Sequence, residues 1–487
     1  MTLTLYNTLT RRQESFQTVE PGKVKMYCCG VTVYDYCHLG HARSYIIWDT
    51  IRRYLQWRGY QVHYIQNFTD IDDKILNRAR EQGSTMEAVA NRFIDAYFED
   101  IRRLNVMDAD EYPRATENIP AIIELIDALE EKDYAYAVSG DVYYRVERFP
   151  AYGKLSGQQL DQKLAGASGR LDPEDSEAKK QHPFDFALWK GAKPGEPAWD
   201  SPWGKGRPGW HIECSAMIRE TLGTTIDIHG GGRDLINPHH ENEIAQSEAA
   251  TNQPLARYWM HNGMVMVDGA KMSKSLGNFI TIRELLDGVG AHSHAPVDPM
   301  AVRLFVLQAH YRKPLDFTEQ AIATASAQWK TLKEGLLFGY VHGEKLAFAH
   351  HVHQLDKGLI QEFETSGDDD FNFSKSLAVL FELSKKLQRE GNLLVHEGKT
   401  ETPPVELQKE WYTLVTLAQV LGLEAKQEVE TPQSHGISDA EIEAFIQKRQ
   451  DARKAKNFAE ADRIRNELQA KGIILIDSRE GSKWHRN

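Results

Sequence analysis

The chain has 487 residues, 41% hydrophobic and 26% charged, proportions that exclude a disordered or fibrous protein. At roughly 150 residues per domain the length implies about three or four structural units. The formal net charge of -12 excludes a uniformly basic nucleic-acid coat but leaves room for local basic patches. No run of about 18 apolar residues offers a membrane span, and the stretch from Met1 to Phe16 alternates apolar with polar residues, unlike a signal peptide. The expected location is therefore the cytoplasm, with no membrane partner. Four cysteines, Cys28, Cys29, Cys37 and Cys214, are too few and too unevenly spaced for a disulfide framework, which leaves metal ligation, catalysis or plain burial.

Taken in chain order, Val24 to Cys29 predicts a strand, Gly30 a turn, His41 to about Gln56 a helix, and Gln61 to Phe68 a second strand. Strand, helix, strand is a βαβ unit and implies a parallel sheet. Helical spacing fills Met86 to Leu104 and Ile119 to Leu129, and Asp141 to Val146 alternates like a strand. From Ala151 to Pro208 the composition turns to Gly, Pro, Lys, Asp and Gln, which predicts a loop-rich insertion. Strand-like pieces return at Thr225 to His229 and Tyr258 to His261, so the first α/β domain is expected to resume after the insertion. Helix-period residues then occupy Glu319 to Leu337, Phe371 to Glu390 and Val405 to Leu421, a helical bundle, and the polar stretch from Glu424 to Ser438 reads as a linker. Residues 440–487 hold eleven Lys plus Arg against eight Asp plus Glu, a local excess of positive charge. Lys448, Arg449, Arg453, Lys454 and Lys456 form a candidate track for phosphates there, or else a solvated mixed-charge helix.

Three constellations carry chemistry. His38-Leu39-Gly40-His41 opens the first predicted helix, where free backbone N–H groups, a glycine and two imidazoles suit the phosphates of ATP; surface or capping histidines are the plainer reading. Lys271-Met272-Ser273-Lys274-Ser275 offers two lysines that can converge on a triphosphate, or a solvated basic turn. Cys29, Cys214, His239 and Glu243 are credible zinc ligands, with His239 and Glu243 one helical turn apart, although isolated buried cysteines also serve as small hydrophobes.

Together, the first two motifs resemble the HIGH and KMSKS signatures of class I aminoacyl-tRNA synthetases, with Leu39 replacing isoleucine. The segments Met26 to Asp35, Asn67 to Lys74, Gly209 to Met217 and His229 to Gly232 resemble the cysteinyl-tRNA synthetase family, from near Tyr6 to about Phe317. That resemblance implies an α/β, Rossmann-like parallel-sheet catalytic domain split by an insertion, then a helical bundle and a small C-terminal module. The expected boundaries are 1–115 with 209–265 for the catalytic domain and 116–208 for the insertion, followed by 266–317 for the KMSKS and stem-contact region. A bundle on the anticodon side, 318–423, and a basic tRNA-binding module, 439–487, complete the chain.

The resemblance also implies the reaction: ATP, with Mg2+, activates L-cysteine, and the cysteinyl group passes to tRNA(Cys). His38, His41, Lys271 and Lys274 are the implied catalytic residues, and His38, Gly40, His41 and Lys274 hold ATP. Gly30, Thr69, Trp210 and Asp234 line the cysteine pocket. One Zn2+ per chain sits on Cys29, Cys214, His239 and Glu243, while Cys28 and Cys37 lie outside and His240 and Glu241 face away. A zinc ion explains how serine is rejected, because an apolar pocket gains only about 1–3 kcal/mol from so small a difference. The substrate sulfur then expands the coordination to five or loosens Glu243. A monomer is implied. Residues 289–298, with His292 and His294, read as a small insertion relative to the family. Two alternatives share the motifs: a cysteine ligase acting on an amino-sugar, and an idle zinc-stabilised RNA-binding paralogue.

Overall fold

The computed structural model describes residues 2–158, 179–273, 276–289, 295–349, 354–426, 439–455, 457–470, 473–478 and 481–486. The chain divides into two compact units, Met1–Ala425 and Lys426–Asn487. At the centre of the first unit is a parallel sheet whose strands run Ala256–Asn262, Ile226–Gly232, Lys23–Cys28, Gln61–Gln66 from one edge to the other. The opening βαβ unit is present, with helix Leu39–Trp57 between Lys23–Cys28 and Gln61–Gln66. The third strand of this sheet in chain order, Ile226–Gly232, returns to pair with its first, Lys23–Cys28, so the Rossmann-like domain is split by everything in between.

Alternation along the first strand divides its side chains between two cores. Val24, Met26 and Cys28 pack with Ile46, Trp48 and Ile51 of helix Leu39–Trp57. Tyr27, and Cys29 just past the strand, belong instead with Ile212, Cys214 and Ile244 of helices Trp210–Thr221 and Glu241–Thr251 on the opposite face. Cys28 is thereby committed to the hydrophobic core and Cys29 to the face where Cys214 waits. Cys37 is buried in the same core as Cys28.

Between the second and third strands the chain forms helices Asp73–Gln82, Met86–Arg103 and Ile119–Glu131 and then an antiparallel sheet, Ala135–Val138, Asp141–Tyr144, Phe186–Gly191 and Gly206–Pro208. The described residues of the insertion thus hold more regular structure than its composition suggests. Its later strands are short and interrupted by Gly and Pro, yet Leu188 and Trp189 are completely buried. Gly209 allows the chain to turn from this sheet into helix Trp210–Thr221, because a Cβ there would sit 2.0 Å from the Ala187 carbonyl oxygen.

After the parallel sheet, Val265–Val267, Ala270–Lys271 and Leu315–Phe317 make a small mixed sheet. The bundle consists of Glu319–His342, Lys357–Gly367, Phe373–His396 and Pro404–Val420. Helix Lys357–Gly367 escaped the periodicity reading because it buries only Phe363 and Gly367. A buried Arg303 joins this bundle to the helix of the HLGH motif: it pairs with Asp49 and donates to the carbonyls of Leu421 at 2.7 Å and Leu104 at 3.1 Å. The second unit has helices Asp439–Lys454 and Phe458–Ala470 and the hairpin Ile473–Ser478 with Gly481–Arg486, closed on Ile442, Ile446, Ile464, Leu468 and Ile473. Arg449 is buried there, at 4% exposure, and so leaves the candidate phosphate track. Lys456 and the side chains of Arg453 and Lys454 fall outside the described residues. No helix among the described residues is long and apolar enough to cross a membrane.

Candidate active site and metal centre

The C-terminal ends of parallel strands are where α/β sheets gather their chemistry. Here Cys29 follows the first strand, Cys214 lies in helix Trp210–Thr221, and His239 and Glu243 flank the start of helix Glu241–Thr251. One ligand atom from each of these four residues lies within 4.8 Å of all the others. The Cys29 and Cys214 sulfurs are 3.9 Å apart, Cys29 Sγ is 3.6 Å from Glu243 Oε1, and His239 Nε2 is 3.0 Å from the same oxygen. Donors held about 2.0–2.3 Å from a common zinc ion would stand roughly 3.3–3.8 Å apart, so the set fits a four-coordinate divalent ion. Its chemistry, two sulfurs with an imidazole and a carboxylate, fits as well. Burial, with Cys214 and Glu243 beside it, pushes the Cys29 thiol well above its ordinary range. A cation among these donors would reverse that preference, since a coordinating thiol gives up its proton.

The expectation that His240 faces away is wrong. Its Nε2 lies 3.3 Å from Cys29 Sγ and 3.9 Å from Glu243 Oε1. The segment Ile236–His240 ahead of the α-helix is kinked, with Asn237 in an extended conformation (φ -139°, ψ 128°), and both histidines after the kink lie against the cluster. Glu241 does face away and accepts from the backbone N–H groups of Gly153 at 2.9 Å and Ser156 at 2.7 Å. His229, part of a family-like segment but not among the expected site residues, sits 2.8 Å from Glu243 Oε2 and forms with Cys29, His240 and Glu243 a second compact set of donors. His240 Nδ1 is 2.9 Å from His261 Nε2, and His261 Nδ1 is 2.9 Å from Thr8 Oγ1. Burial, followed by the neighbouring His229, holds His240 well below the usual imidazole range and therefore neutral. The glycines after His229 make this crowding feasible: a Cβ on Gly231 would lie 2.7 Å from His240 Cε1.

The residues expected in the cysteine pocket are distributed around this cluster. Gly30 donates its N–H to Asn67 Oδ1 at 2.9 Å and lies so close to the second strand's end that a Cβ would be 1.6 Å from the Asn67 carbonyl oxygen. Trp210 stacks on His239 with ring centroids 4.0 Å apart. Thr69 is buried and donates to Glu213 Oε2 at 3.1 Å. Asp234 occupies an exposed turn just after the third strand. Asn67 and Glu213 were missed. Both sit inside the segments that carry the family resemblance, but their amide and carboxylate have no spacing signature of their own.

His38 is the N-cap of helix Leu39–Trp57: its Nδ1 accepts from Gly40 N at 3.0 Å, while His41 Nδ1 accepts from His38 N at 3.2 Å. Capping chemistry is therefore real here. It is compatible with a phosphate role, because a neutral ring that accepts at Nδ1 carries its proton on Nε2. The two rings stack at 3.8 Å, and a Cβ on Gly40 would collide with the His38 ring at 2.7 Å. Lys271 is exposed on its strand, and Asn278 ties the neck of the following loop by accepting from Ser273 N at 2.8 Å and donating to the Lys271 carbonyl at 3.2 Å. The loop's far end is zipped to HLGH, with Leu39 N donating to the Ile280 carbonyl at 3.1 Å and Ile282 N to that of Cys37 at 2.9 Å. Lys274 lies outside the described residues, as do His292 and His294.

A split parallel sheet with an HLGH helix start hydrogen-bonded to the segment that follows the KMSKS motif defines a class I aminoacyl-tRNA synthetase. Residues 15–327 match the family model for the class I (C) tRNA synthetase catalytic domain, 362–426 the DALR domain, and 438–484 the cysteinyl-tRNA ligase anticodon binding domain. A cysteine–tRNA ligase of a Nostoc species and one of Trichormus variabilis are each 76% identical over 487 residues, covering 100% of both chains. The chain belongs to the cysteinyl-tRNA synthetase family. Among solved structures, methionyl-tRNA synthetase of Mycobacterium tuberculosis is similar at a TM-score of 0.53 with 16% identity, covering 82% of this chain and 89% of that one. Arginyl-tRNA synthetase of Thermus thermophilus is similar at 0.52 with 15% identity, covering 86% and 84%. These two likenesses bear on the fold alone. The family matches extend through the residues after Phe317, which an amino-sugar ligase would not require.

Proposed function

We propose that Cys29, Cys214, His239 and Glu243 hold one zinc ion per chain, and that this ion selects cysteine over serine. The reaction it serves is the family's: ATP-dependent activation of L-cysteine to cysteinyl-adenylate, then transfer to tRNA(Cys). The observation that carries the proposal is the convergence of two sulfurs, an imidazole and a carboxylate within 4.8 Å of one another. A zinc ion held there would supply a soft Lewis acid that favours a thiolate, whereas serine's hydroxyl keeps its proton and is a poor ligand. His229, 2.8 Å from Glu243 Oε2, would orient that carboxylate toward the ion.

The chain's own residues do the rest by position and charge. Asp234 receives the substrate ammonium, while Gly30, Thr69 and Trp210 shape the pocket. His38 and His41, each presenting Nε2–H, meet the phosphates of ATP entering with Mg2+ over Gly40. The cysteine carboxylate attacks the α-phosphate, and Lys271 and Lys274 stabilise the charge on departing pyrophosphate. The terminal ribose 2′-hydroxyl of tRNA then accepts the cysteinyl group. We assign the catalytic domain to 1–115 with 209–265, the insertion to 116–208 and the stem-contact region to 266–317, with tRNA recognition by the bundle 318–423 and the module 439–487. All four ligand donors and both nucleotide motifs come from one chain, which supports a monomer. Four free thiols suit the cytoplasm. The test is cysteine-dependent ATP/pyrophosphate exchange before and after chelation. Exchange should vanish with the metal and return with zinc; a chelated chain that exchanges at full rate would overturn the proposal.

A further inference from the structure

Arg43 follows His41 by two residues on helix Leu39–Trp57, and its side chain is completely buried. Arg303, buried to the same degree, pairs with Asp49, whereas Arg43 has no carboxylate partner among the described residues. Its guanidinium donates instead to three backbone carbonyls, those of Met264 at 2.8 Å, Tyr311 at 3.2 Å and Lys313. Burial pushes the group down to about 10, which still leaves it charged at neutral pH. An apolar side chain of the same volume would fill this space without the cost of taking an unpaired cation out of water. What the guanidinium adds is a planar fork that grips two segments of chain at once.

The first of those segments is the crossover from strand Ala256–Asn262 of the parallel sheet to Val265–Val267, which pairs with Ala270–Lys271 so that Met266 stands opposite Lys271. The second, His310 to Lys313, leads into Leu315–Phe317 on the other side of Val265–Val267. The two segments are packed tightly: Gly263 N donates to the Tyr311 carbonyl at 2.8 Å, and a Cβ on Gly263 would lie 2.2 Å from the Lys313 carbonyl oxygen. Asp370, between helices Lys357–Gly367 and Phe373–His396, holds the second segment from the bundle side, accepting from the Tyr311 hydroxyl at 2.8 Å and from Arg312 Nε at 2.7 Å. Ser44, next to Arg43, adds a bond from its hydroxyl to Asn262 Oδ1 at 3.0 Å. The helix that begins with HLGH therefore grips the chain on both sides of KMSKS, through Arg43 at Met264 before it and through Leu39 N at Ile280 after it.

We propose that Arg43 is a positioning residue for adenylate formation: by fixing the root of the strand pair that carries Lys271, it sets the span between that lysine and the imidazoles of His38 and His41. The inference rests on the assignment of those three residues to ATP. Met264 is two residues before Met266, the partner of Lys271, so a shift at the crossover passes along the pair to the lysine. A misplacement of about 1 Å can cost about 10²-fold in rate where reacting groups must meet in register. The zinc donors sit on other elements, after strand Lys23–Cys28 and on the helices Trp210–Thr221 and Glu241–Thr251 with the turn before the latter, and none of these is touched by Arg43.

Arg43→Lys keeps the charge but offers one nitrogen in place of the fork. In the full-length chain, adenylate formation should slow about 10- to 100-fold while the zinc content and the cysteine dissociation constant stay at the parent values. Gly263→Ala leaves Arg43 intact and pushes the same crossover off the Lys313 carbonyl by about 0.8 Å, since real Cβ contacts essentially never fall below 3.0 Å. It should give the same split between rate and cysteine binding, which keeps the test open should the Arg43 variant fold poorly. The deciding comparison places Arg43→Lys in a Lys271→Ala background. If Arg43 acts through Lys271, its replacement there should add little to the loss, whereas a general loosening of the fold lowers the rate by the same factor in both backgrounds. Equal factors, or Arg43→Lys and Gly263→Ala chains that form adenylate at the parent rate, overturn the role of Arg43. A Lys271→Ala chain that forms adenylate at the parent rate overturns instead the assignment of Lys271 to ATP.

Discussion

Gly30→Ala offers a sharp test of how the sheet supports the cluster. An added Cβ would lie 1.6 Å from the Asn67 carbonyl oxygen, and real Cβ contacts essentially never fall below 3.0 Å, so the two segments must part by about 1.4 Å. The obstacle is backbone, with no flexible side chain to swing aside. Overpacking costs about 1–3 kcal/mol, and separation also weakens the Gly30 N–H bond to Asn67 Oδ1, worth roughly 1 kcal/mol more. The expected loss is therefore about 2–4 kcal/mol. The displacement also matters for the neighbour. Metal–ligand distances tolerate only about ±0.2 Å, and Cys29 is one residue away. Urea unfolding and zinc retention should fall together. A Gly30→Ala chain as stable as its parent and holding zinc equally well would refute this account of how Cys29 is placed.

Further outcomes follow from other contacts. Cys214→Ser should weaken zinc retention and cysteine activation together, whereas Cys37→Ser, altering a thiol buried in the other core, should leave zinc content unchanged by elemental analysis. Arg303→Met leaves buried Asp49 with Arg53 and the Met107 N–H as partners and should destabilise the first unit by about 3 kcal/mol in urea, the lower end for a broken buried pair, with zinc still retained. Burial, then His38, lowers the His41 pKa well below its ordinary value, so below about pH 6.5 the unfolded chain binds a proton that the folded chain refuses. Stability should thus decline as pH falls through 6.5, and His41→Gln should make that decline shallower in a denaturation profile taken from pH 7 to 5, with buried His240 and His261 still contributing the remainder. Removing everything after about Glu430 takes away the second unit with its own core and should spare cysteine-dependent exchange while lowering tRNA charging. Undiminished charging would deny the module a role in tRNA binding.

The parallel sheet was legible because its strands are apolar runs spaced around a helix of clear period, and the candidate ligands because they sit in segments with a specific family likeness. Of the antiparallel sheet within 135–208 only Asp141–Tyr144 was legible, by its alternation, whereas Gly206–Pro208 is three residues long and carries no alternation to read. The inward position of His240 was hidden for a different reason: the chain kinks at an extended Asn237 just ahead of it, and helical spacing alone does not anticipate a kink. The strand expected to end at His229 runs on through Gly232, and at Gly230 and Gly231 the Cys28 sulfur and the His240 ring occupy the space that Cβ atoms would need. The capping role of His38 and His41 was recognised as an alternative to phosphate binding, although one nitrogen of each ring can cap while the other serves a ligand.

The claim that zinc reads the substrate's sulfur can be tested at the metal itself, by X-ray absorption at the zinc edge of the chain before and after cysteine is added. Two sulfur neighbours are expected in the unliganded chain and three with cysteine, while serine leaves the count at two. A sulfur count that cysteine does not change, in a chain that still activates cysteine, would contradict the account.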